Sequence, residues 1–296
     1  MSTYGAAYDV TVRSAGLRRR RIVEKLLAVV ATLCALAAVA MLGIVIGSVA
    51  SKGASSLSVD FFTKPRPLFG QPGGIADAIV GSGLIVGIAT LMALPVGVLV
   101  AIYLSEFASR RIAAFVRIVL DVMNGIPAIV VGIFVFGVIV TGRGQSALAG
   151  SFALAILMVP MIARATQEVL ALVPGSLREA SLALGVSRWR TVLGVVMPTA
   201  VGGVVTGSVL AVARVAGETA PLLFTSSLAA NAINLDVTQA LPTIPVAIFV
   251  FSESPDPGEQ ALAWTAALVL ISFVLVASVI ARILAARARR KITGAR

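Results

Sequence analysis

Two opposite charges stand four residues apart in an otherwise apolar stretch: Arg214 and Glu218, within "ARVAGETAPLL" at 213–223. A guanidinium group offers a fixed positive charge and a fork of N–H donors, which suits the oxygens of an anion. On a continuous helix, the spacing places both charges on one face, where they can neutralise each other. Two interpretations are therefore open. In the first, the two side chains form a structural ion pair and satisfy each other. In the second, Arg214 faces an anion path, and Glu218 either holds Arg214 in place or weakens its binding of the anion.

The neighbours of this pair predict a weak point in the helix. Gly217 allows close approach of another backbone, and Pro221 should loosen the helix one turn later, as suits a gate. The segment Asn124–Gly125–Ile126–Pro127 is a second candidate break, with Asp121 one turn before it. This second break fits either a gate or a packing kink.

A polar segment from Leu177 to Pro198 predicts a short helix that binds a partner. Ser176 and Glu179 have the spacing of a capping box, Gly185 suits a left-handed helix end, and Ser187 suits the N-cap of a following helix. One face, apolar and mostly small, is formed by Leu177, Ala180, Ser181 and Leu184. A capped helix over about 176–185, with such a face, is shaped to fit a groove.

The elements that must position these residues are apolar helices. Hydrophobic residues make up 58% of the 296 residues and charged residues only 12%, which is typical of a membrane protein. A helix needs about 20 apolar residues to cross a bilayer. We predict an all-α membrane protein with six transmembrane helices: Leu26–Ala50, Ala76–Tyr103, Ala113–Val140, Ala147–Val169, Thr199–Thr225 and Ala261–Leu284.

The basic residues predict the orientation. With six spans, most of the 24 Lys and Arg fall on one side, including Arg164, Arg178 and Arg188 after the fourth span. By the positive-inside tendency, both termini are cytoplasmic, which gives a basic amino-terminal tail at 1–25, a six-span domain at 26–284 and a basic carboxy-terminal tail at 285–296. The run of arginines at 18–21 fits such a topology signal better than a nucleic-acid or lipid site. Outside, the "LPTIPVAIFVF" stretch predicts a re-entrant, interfacial or short helical piece.

The sequence lacks the residues that several kinds of chemistry require. The sequence has no G-x4-G-K-[ST] phosphate-binding loop, so the chain should not hydrolyse ATP by itself. It contains no histidine and a single cysteine, Cys34, so neither a metal site nor a disulfide has a ligand set. We therefore expect a non-catalytic membrane subunit with no cofactor of its own.

The segment Glu179–Ala180–Ser181, followed by Gly185 and by Val195–Val196–Met197–Pro198, resembles the EAA loop (EAA-x3-G-x9-I-x-L-P) of ABC importer permeases. Ser181 replaces an alanine, Val195 an isoleucine and Met197 a leucine. In that family the loop forms the coupling helix that docks on the ATPase. The resemblance implies a type I ABC importer permease fold with its core at about 75–284, and a contribution of Glu179, Ala180, Ser181, Gly185 and Arg188 to ATPase coupling.

Further stretches resemble the permeases of phosphate-specific (Pst) importers. They are "FFTKPRP" at 61–67, "PGGIADAIVGS" at 72–82, "DVMNGIPAIVVGIF" at 121–134, "ARATQEVLALVPGSLREASLALG" at 163–185 and "ARVAGETAPLLFTS" at 213–226. The "GETAPLL" string favours the PstA type. The resemblance implies inorganic phosphate import across a bacterial cytoplasmic membrane, with a substrate path at Arg214, Gly217 and Glu218. It implies a PstC-like second permease, a PstB-like ATPase dimer that binds ATP and Mg²⁺, and a PstS-like phosphate-binding protein.

Two alternatives to phosphate import stay open at this point. One is a permease for another oxyanion, such as molybdate, sulfate or phosphonate, because an EAA loop would serve it equally well. The other is a sensory or scaffold subunit that binds an ATPase and transports nothing. Substitution of Arg214 separates these alternatives, since a scaffold should tolerate it and a transporter should not.

Overall fold

The structure, a computed structural model, describes residues 15–66, 73–227 and 232–293. Parts of both predicted tails, 1–14 and 294–296, lie outside these residues, as do parts of the predicted outer segments, 67–72 and 228–231. The chain forms two compact units, Met1–Ser51 and Lys52–Arg296. In the first, the described residues belong to α1 (Ala15–Gly53), which begins inside the predicted amino-terminal tail.

The second unit is helical throughout its described regular structure. Its helices are α2 (Val59–Thr63), α3 (Ala76–Ile102), α4 (Arg110–Gly125), α5 (Ala128–Val135), α6 (Ala147–Ala171), α7 (Gly175–Ala183), α8 (Arg188–Thr191), α9 (Met197–Val215), α10 (Ala220–Thr225), α11 (Ile244–Ser252) and α12 (Pro257–Thr293). Single π-helical turns extend α3 through Tyr103–Phe107 and α5 through Phe136–Val140. A third π-turn, Val192–Val196, joins α8 to α9. The all-α prediction is confirmed.

Two predicted spans are broken, and each break lies at a proline. The third predicted span is two helices, α4 and α5, with an angle of 94° between them. Ile126 is extended at φ −67°, ψ 128°, as a residue before proline tends to be, and Pro127 caps α5. The fifth predicted span stops at Val215 and resumes at Ala220, so that Pro221 falls in the first turn of α10, where its missing N–H leaves no bond unmade.

These breaks correct the continuous spans predicted at 113–140 and 199–225, although both positions had been named as candidate breaks. Within the described residues, five helices are long and apolar enough to cross a membrane, and the α4–α5 pair supplies a sixth span. Counted in this way, with the bent pair as one span, the described helices agree with the six predicted spans. The "LPTIPVAIFVF" stretch forms α11, and α12 continues to Thr293, within the predicted carboxy-terminal tail.

The core of the second unit lies between α3, α6 and α9. Its fully buried side chains include Ile85 from α3 together with Leu154, Met158 and Ile162 from α6. Helix α3 approaches α6 so closely that a Cβ on Gly97 would lie 2.9 Å from Ile162 Cβ. Small residues at such crossings are the usual way for membrane helices to pack, because lipid offers no hydrophobic force to press helices together.

Candidate functional site: a cavity at two helix breaks

The two helix breaks line one cavity of about 370 Å³. Its walls are formed by Met123, Asn124, Ile126 and Ala128 at the α4–α5 break, by Leu157 and Met161 of α6, and by Arg214, Val215 and Glu218 at the α9–α10 break. The volume is in the range of small-molecule sites, about 300–1,000 Å³. The structure therefore brings together two segments that the sequence indicated separately.

Arg214 and Glu218 both line this cavity, but they are not paired. Helix α9 ends at Val215, and the residues that follow turn away from helical geometry, with the Glu218 N–H donating to Val215 O at 3.0 Å. No ion pair or hydrogen bond joins the two side chains within the part of the chain that the structure describes. The hypothesis of a self-satisfied pair is therefore wrong, because it assumed a continuous helix. Arg214 is exposed and its guanidinium donors are available to an anion.

Gly217 lies in the break itself and is exposed. A Cβ at this position would meet only Arg214 O, at 3.6 Å, so no other described backbone approaches it. The expected close approach of a second backbone at Gly217 is not seen among the described residues. The glycine sits at the turn that separates Arg214 from Glu218.

A second charged pair lies one helical turn from the cavity walls. Arg164 of α6 donates to the Asp121 carboxylate and, at 3.4 Å, to the Arg117 carbonyl oxygen of α4. Arg164 had been counted with the basic residues after the fourth span, although it falls inside the predicted bounds Ala147–Val169, and the structure places it within α6. Charged side chains other than Arg214 and Glu218 therefore lie within the predicted spans. An intramembrane ion pair is costly to insert and marks a functional or strongly structural position.

The predicted partner-binding helix is present as α7, with one correction at its start. It begins at Gly175 after Pro174, and no side chain caps it, so the capping box of Ser176 and Glu179 does not form. Glu179 is exposed instead. The end is as predicted: Gly185 has φ +76°, the left-handed region that glycine adopts without strain. Ser187 occupies the N-cap position of α8 but makes no capping hydrogen bond.

The side chains of this region face two ways. Ala180, Leu177 and Leu184 are exposed, the last with 83% of its surface accessible, as a docking face requires. Ser181 is buried, and its hydroxyl is 2.9 Å from the Thr191 hydroxyl of α8. Ser181 therefore holds α7 against α8 and is not on the exposed face, which corrects its predicted place there. Arg188 is exposed and stacks on Phe107, 5.7 Å from the ring centroid.

The most connected side chain of α7 is Arg178, which sequence reasoning had treated only as an orientation signal. Its Nη2 donates to Glu106 Oε1 at 2.8 Å and to Leu170 O at 2.9 Å, and its Nε donates to Glu106 Oε1 at 3.1 Å. Its Nη1 donates to Val173 O at 2.7 Å. The Glu106 side chain is 8% exposed and that of Arg178 is 25% exposed. The pair therefore ties the end of α3 to α7 and to the end of α6.

A helical chain with several candidate membrane spans, a charged cavity at two helix breaks and an exposed polar helix between spans has the features of a membrane permease. Residues 93–290 match the family described as "Binding-protein-dependent transport system inner membrane component", and the chain belongs to this family. It is a multi-pass inner-membrane protein of a transport system.

Similar proteins agree with this assignment. The chain is 41% identical over 243 residues to "Phosphate transport system permease protein PstA" of Yersinia pestis, covering 81% of this chain and 82% of the relative. It is 39% identical over 235 residues to the protein of the same name from Haemophilus influenzae, covering 79% and 83%. These similarities confirm the predicted resemblance to PstA-type permeases. The fold is similar to that in "Inward facing conformations of the MetNI methionine ABC transporter", with TM-score 0.56 and 18% identity over 73% of this chain and 94% of that one.

Proposed function

We propose that this chain is the transmembrane permease subunit of an ATP-driven inorganic phosphate importer. The observation that carries the proposal is Arg214, exposed on a cavity of about 370 Å³ and free of any ion pair within the described residues. A forked, permanently charged donor at a helix break suits a tetrahedral oxyanion. Sequence identities of 41% and 39% to phosphate permeases, over most of the chain, support phosphate as that oxyanion.

In this proposal, the geometry of the cavity explains how an anion could be held weakly and released. Arg214 attracts the anion, while the Glu218 carboxylate on the same wall repels it and limits its residence. Asn124 adds a neutral amide from the opposite break. Helix breaks expose backbone polar groups that remain satisfied only where they line such a cavity. Movement of the walls about the two breaks would open the cavity alternately to each side.

The proposed assembly contains partners that supply what this chain lacks. An ATPase dimer of the PstB kind would bind ATP and Mg²⁺ and dock on the exposed face of α7, and this chain would hold no cofactor. A PstC-like permease would complete the path, and a PstS-like binding protein would deliver phosphate from outside. Both termini would lie in the cytoplasm, on the side of the α7 helix and of most basic residues.

The substrate proposal predicts that unlabelled phosphate inhibits the uptake of radiolabelled phosphate much more strongly than sulfate or molybdate does. Proteoliposomes with the complete transporter should take up radiolabelled phosphate, and excess sulfate or molybdate should reduce that uptake by less than about twofold, because specificity is a difference of affinities between oxyanions. Unlabelled phosphate at the same excess is the matched control and should abolish the signal. ATP-dependent uptake of sulfate or molybdate without phosphate uptake would contradict the proposed substrate. Absence of any anion uptake by an intact complex would favour a non-transporting subunit.

The docking proposal predicts a loss of ATPase binding when Glu179 is replaced by lysine. Glu179 is exposed and makes no capping bond, so the substitution removes no internal contact of the described chain. We expect Glu179→Lys to reach the membrane at wild-type levels but to retain the ATPase at least about tenfold less well, as loss of an interfacial charge contact can do. The measurement is the amount of ATPase that co-purifies with the tagged permease. Ser176→Ala, at an exposed position on the same helix, is the control. Normal retention and normal transport by Glu179→Lys would refute the docking role.

A further inference from the structure

We propose that Arg178 is the positioning residue that transmits movement of the coupling helix α7 to the cavity wall. The inference rests on the proposed function, since it assumes that α7 is the helix on which the ATPase acts. Arg178 and Glu106 do not face the exposed docking surface. Their side chains point inward, where they join α7 to the ends of two other helices.

The contacts of Arg178 are suited to carrying force. One planar guanidinium group makes four hydrogen bonds: two to the Glu106 carboxylate, one to Leu170 O and one to Val173 O. Leu170 and Glu106 are buried, so the bonds are shielded from water and are stronger than surface bonds. A displaced α7 must either carry these acceptors with it or leave the Glu106 charge buried without its partner, which is strongly unfavourable.

The two helix ends held by Arg178 belong to one tightly packed body. Leu170 and Val173 lie at the end of α6, and Glu106 lies in the π-turn that extends α3. Farther along, the same two helices meet at Gly97 and Ile162, where a Cβ on the glycine would lie 2.9 Å from the isoleucine. Close-packed interiors have low compressibility and transmit strain, so a pull on the end of one of these helices is passed to the other. Pulling on Arg178 therefore moves α6, which carries the cavity residues Leu157 and Met161.

A second contact connects α7 with the other wall. The buried Ser181 hydroxyl is 2.9 Å from that of Thr191, at the end of α8. From there the chain continues through the π-turn Val192–Val196 into α9, which ends at the cavity with Arg214 and Val215. Helix α7 thus holds both walls, by a charged connection to α6 and by a neutral hydroxyl pair to α9. The charged one is the stronger.

The test separates ATP hydrolysis from transport in the reconstituted complex of both permeases, the ATPase and the binding protein. Phosphate imported and ATP hydrolysed are measured in the same proteoliposomes. For Arg178→Ala we expect ATPase co-purification and ATP hydrolysis to persist, while phosphate moved per ATP falls about tenfold, within the roughly 5- to 150-fold range typical of coupling between sites. Arg178→Lys should show a smaller fall than Arg178→Ala, since a lysine keeps a positive charge beside Glu106 but cannot make all four hydrogen bonds without the planar fork.

The matched control is Arg111→Ala, which removes an exposed arginine whose side chain makes no hydrogen bond or ion pair with the described residues. Its ratio of phosphate to ATP should equal that of the wild type. A purely structural role for Arg178 would lower the amount of complex and both rates together, with an unchanged ratio. That result, or an unchanged ratio at normal levels, would overturn the proposal.

A variant that keeps the side-chain shape covers the case in which Arg178→Ala fails to assemble. Glu106→Gln retains an acceptor for Arg178 but removes the charge, so the ratio should fall by a smaller factor in an assembled complex. An unchanged ratio in Glu106→Gln would then refute the transmission role. This refutation of the role of Arg178 is distinguishable from a failure of the proposed substrate. If the wild-type complex moved another oxyanion and no phosphate, the same ratio measured with that anion would still test Arg178.

Discussion

Phosphate uptake should fall about ten- to a hundredfold in Arg214→Ala, with the protein present in the membrane at wild-type levels. A hydrogen bond to a charged group contributes about 1.5–3 kcal/mol, which corresponds to this range of rates or occupancies. The fold should survive, because Arg214 is exposed and its removal leaves no buried charge without a partner. The measurement is uptake of radiolabelled phosphate by cells that carry this chain as their source of the subunit.

A surface arginine provides the control for loss of positive charge. Arg143 lies on an exposed turn after the α5 segment and does not line the cavity, so Arg143→Ala should transport normally. Arg214→Lys should retain part of the uptake, since it keeps the charge and loses the fork of donors. Wild-type uptake by Arg214→Ala at matched membrane levels would exclude Arg214 from the translocation path.

Arg214 could be identified from sequence as a candidate site residue, but its position relative to Glu218 could not be predicted. An arginine in an apolar stretch is a functional candidate because of its insertion cost. The predicted pairing with Glu218 assumed that residues 214–218 form one helical turn. The chain instead leaves the helix after Val215, ahead of Pro221. Proline predicts a weakened helix but not whether it bends or stops, since neighbouring helices decide how the freed backbone groups are satisfied.

The second break shows the same limit. Pro127 identified the position, and the extended Ile126 before it is what proline sterics favour. The angle of 94° between α4 and α5 depends on packing of α5 against α10, which no local signal contains. For the same reason, the pairing of Arg164 with Asp121 could not be inferred, because the two residues are 43 positions apart.

Helix α7 was predicted in outline, but several of its contacts were predicted wrongly. The EAA-like spacing gave a short helix ending at Gly185, where φ is +76°. Its start was misplaced by the Ser176–Glu179 pattern, because Pro174 and Gly175 begin the helix earlier and leave no N-cap role for Ser176. Arg178 and Glu106 are 72 positions apart, so their ion pair appears only in the folded chain. In the sequence, the only indication of this ion pair is Glu106 itself, an acidic residue in the otherwise uncharged segment "YLSEF".

Packing between the two half-helices α5 and α10 leads to the second large effect. A Cβ on Gly132 would lie 2.7 Å from Pro221 Cα and 3.2 Å from Pro221 O. Both atoms belong to the backbone, so no side chain can rotate away, and α10 itself would have to shift. Each of these helices begins at a cavity break, α5 at Ala128 and α10 just after Glu218. A shift of α10 against α5 therefore displaces the residues that shape the cavity.

We expect Gly132→Val to reduce phosphate uptake at least about tenfold and to lower the thermal unfolding midpoint of the purified complex by several degrees, since overpacking costs about 1–3 kcal/mol. Gly137→Val is the matched control, because Gly137 lies on the π-turn that extends the same helix and a Cβ there meets nothing within 4 Å. Both variants add the same apolar side chain to the same segment, and they differ in that only the one at Gly132 meets Pro221 and Phe224 of α10. Equal transport by Gly132→Val and Gly137→Val would contradict this prediction. It would mean that α10 can move away from α5 without loss of transport, and that close packing at Gly132 has no part in shaping the cavity.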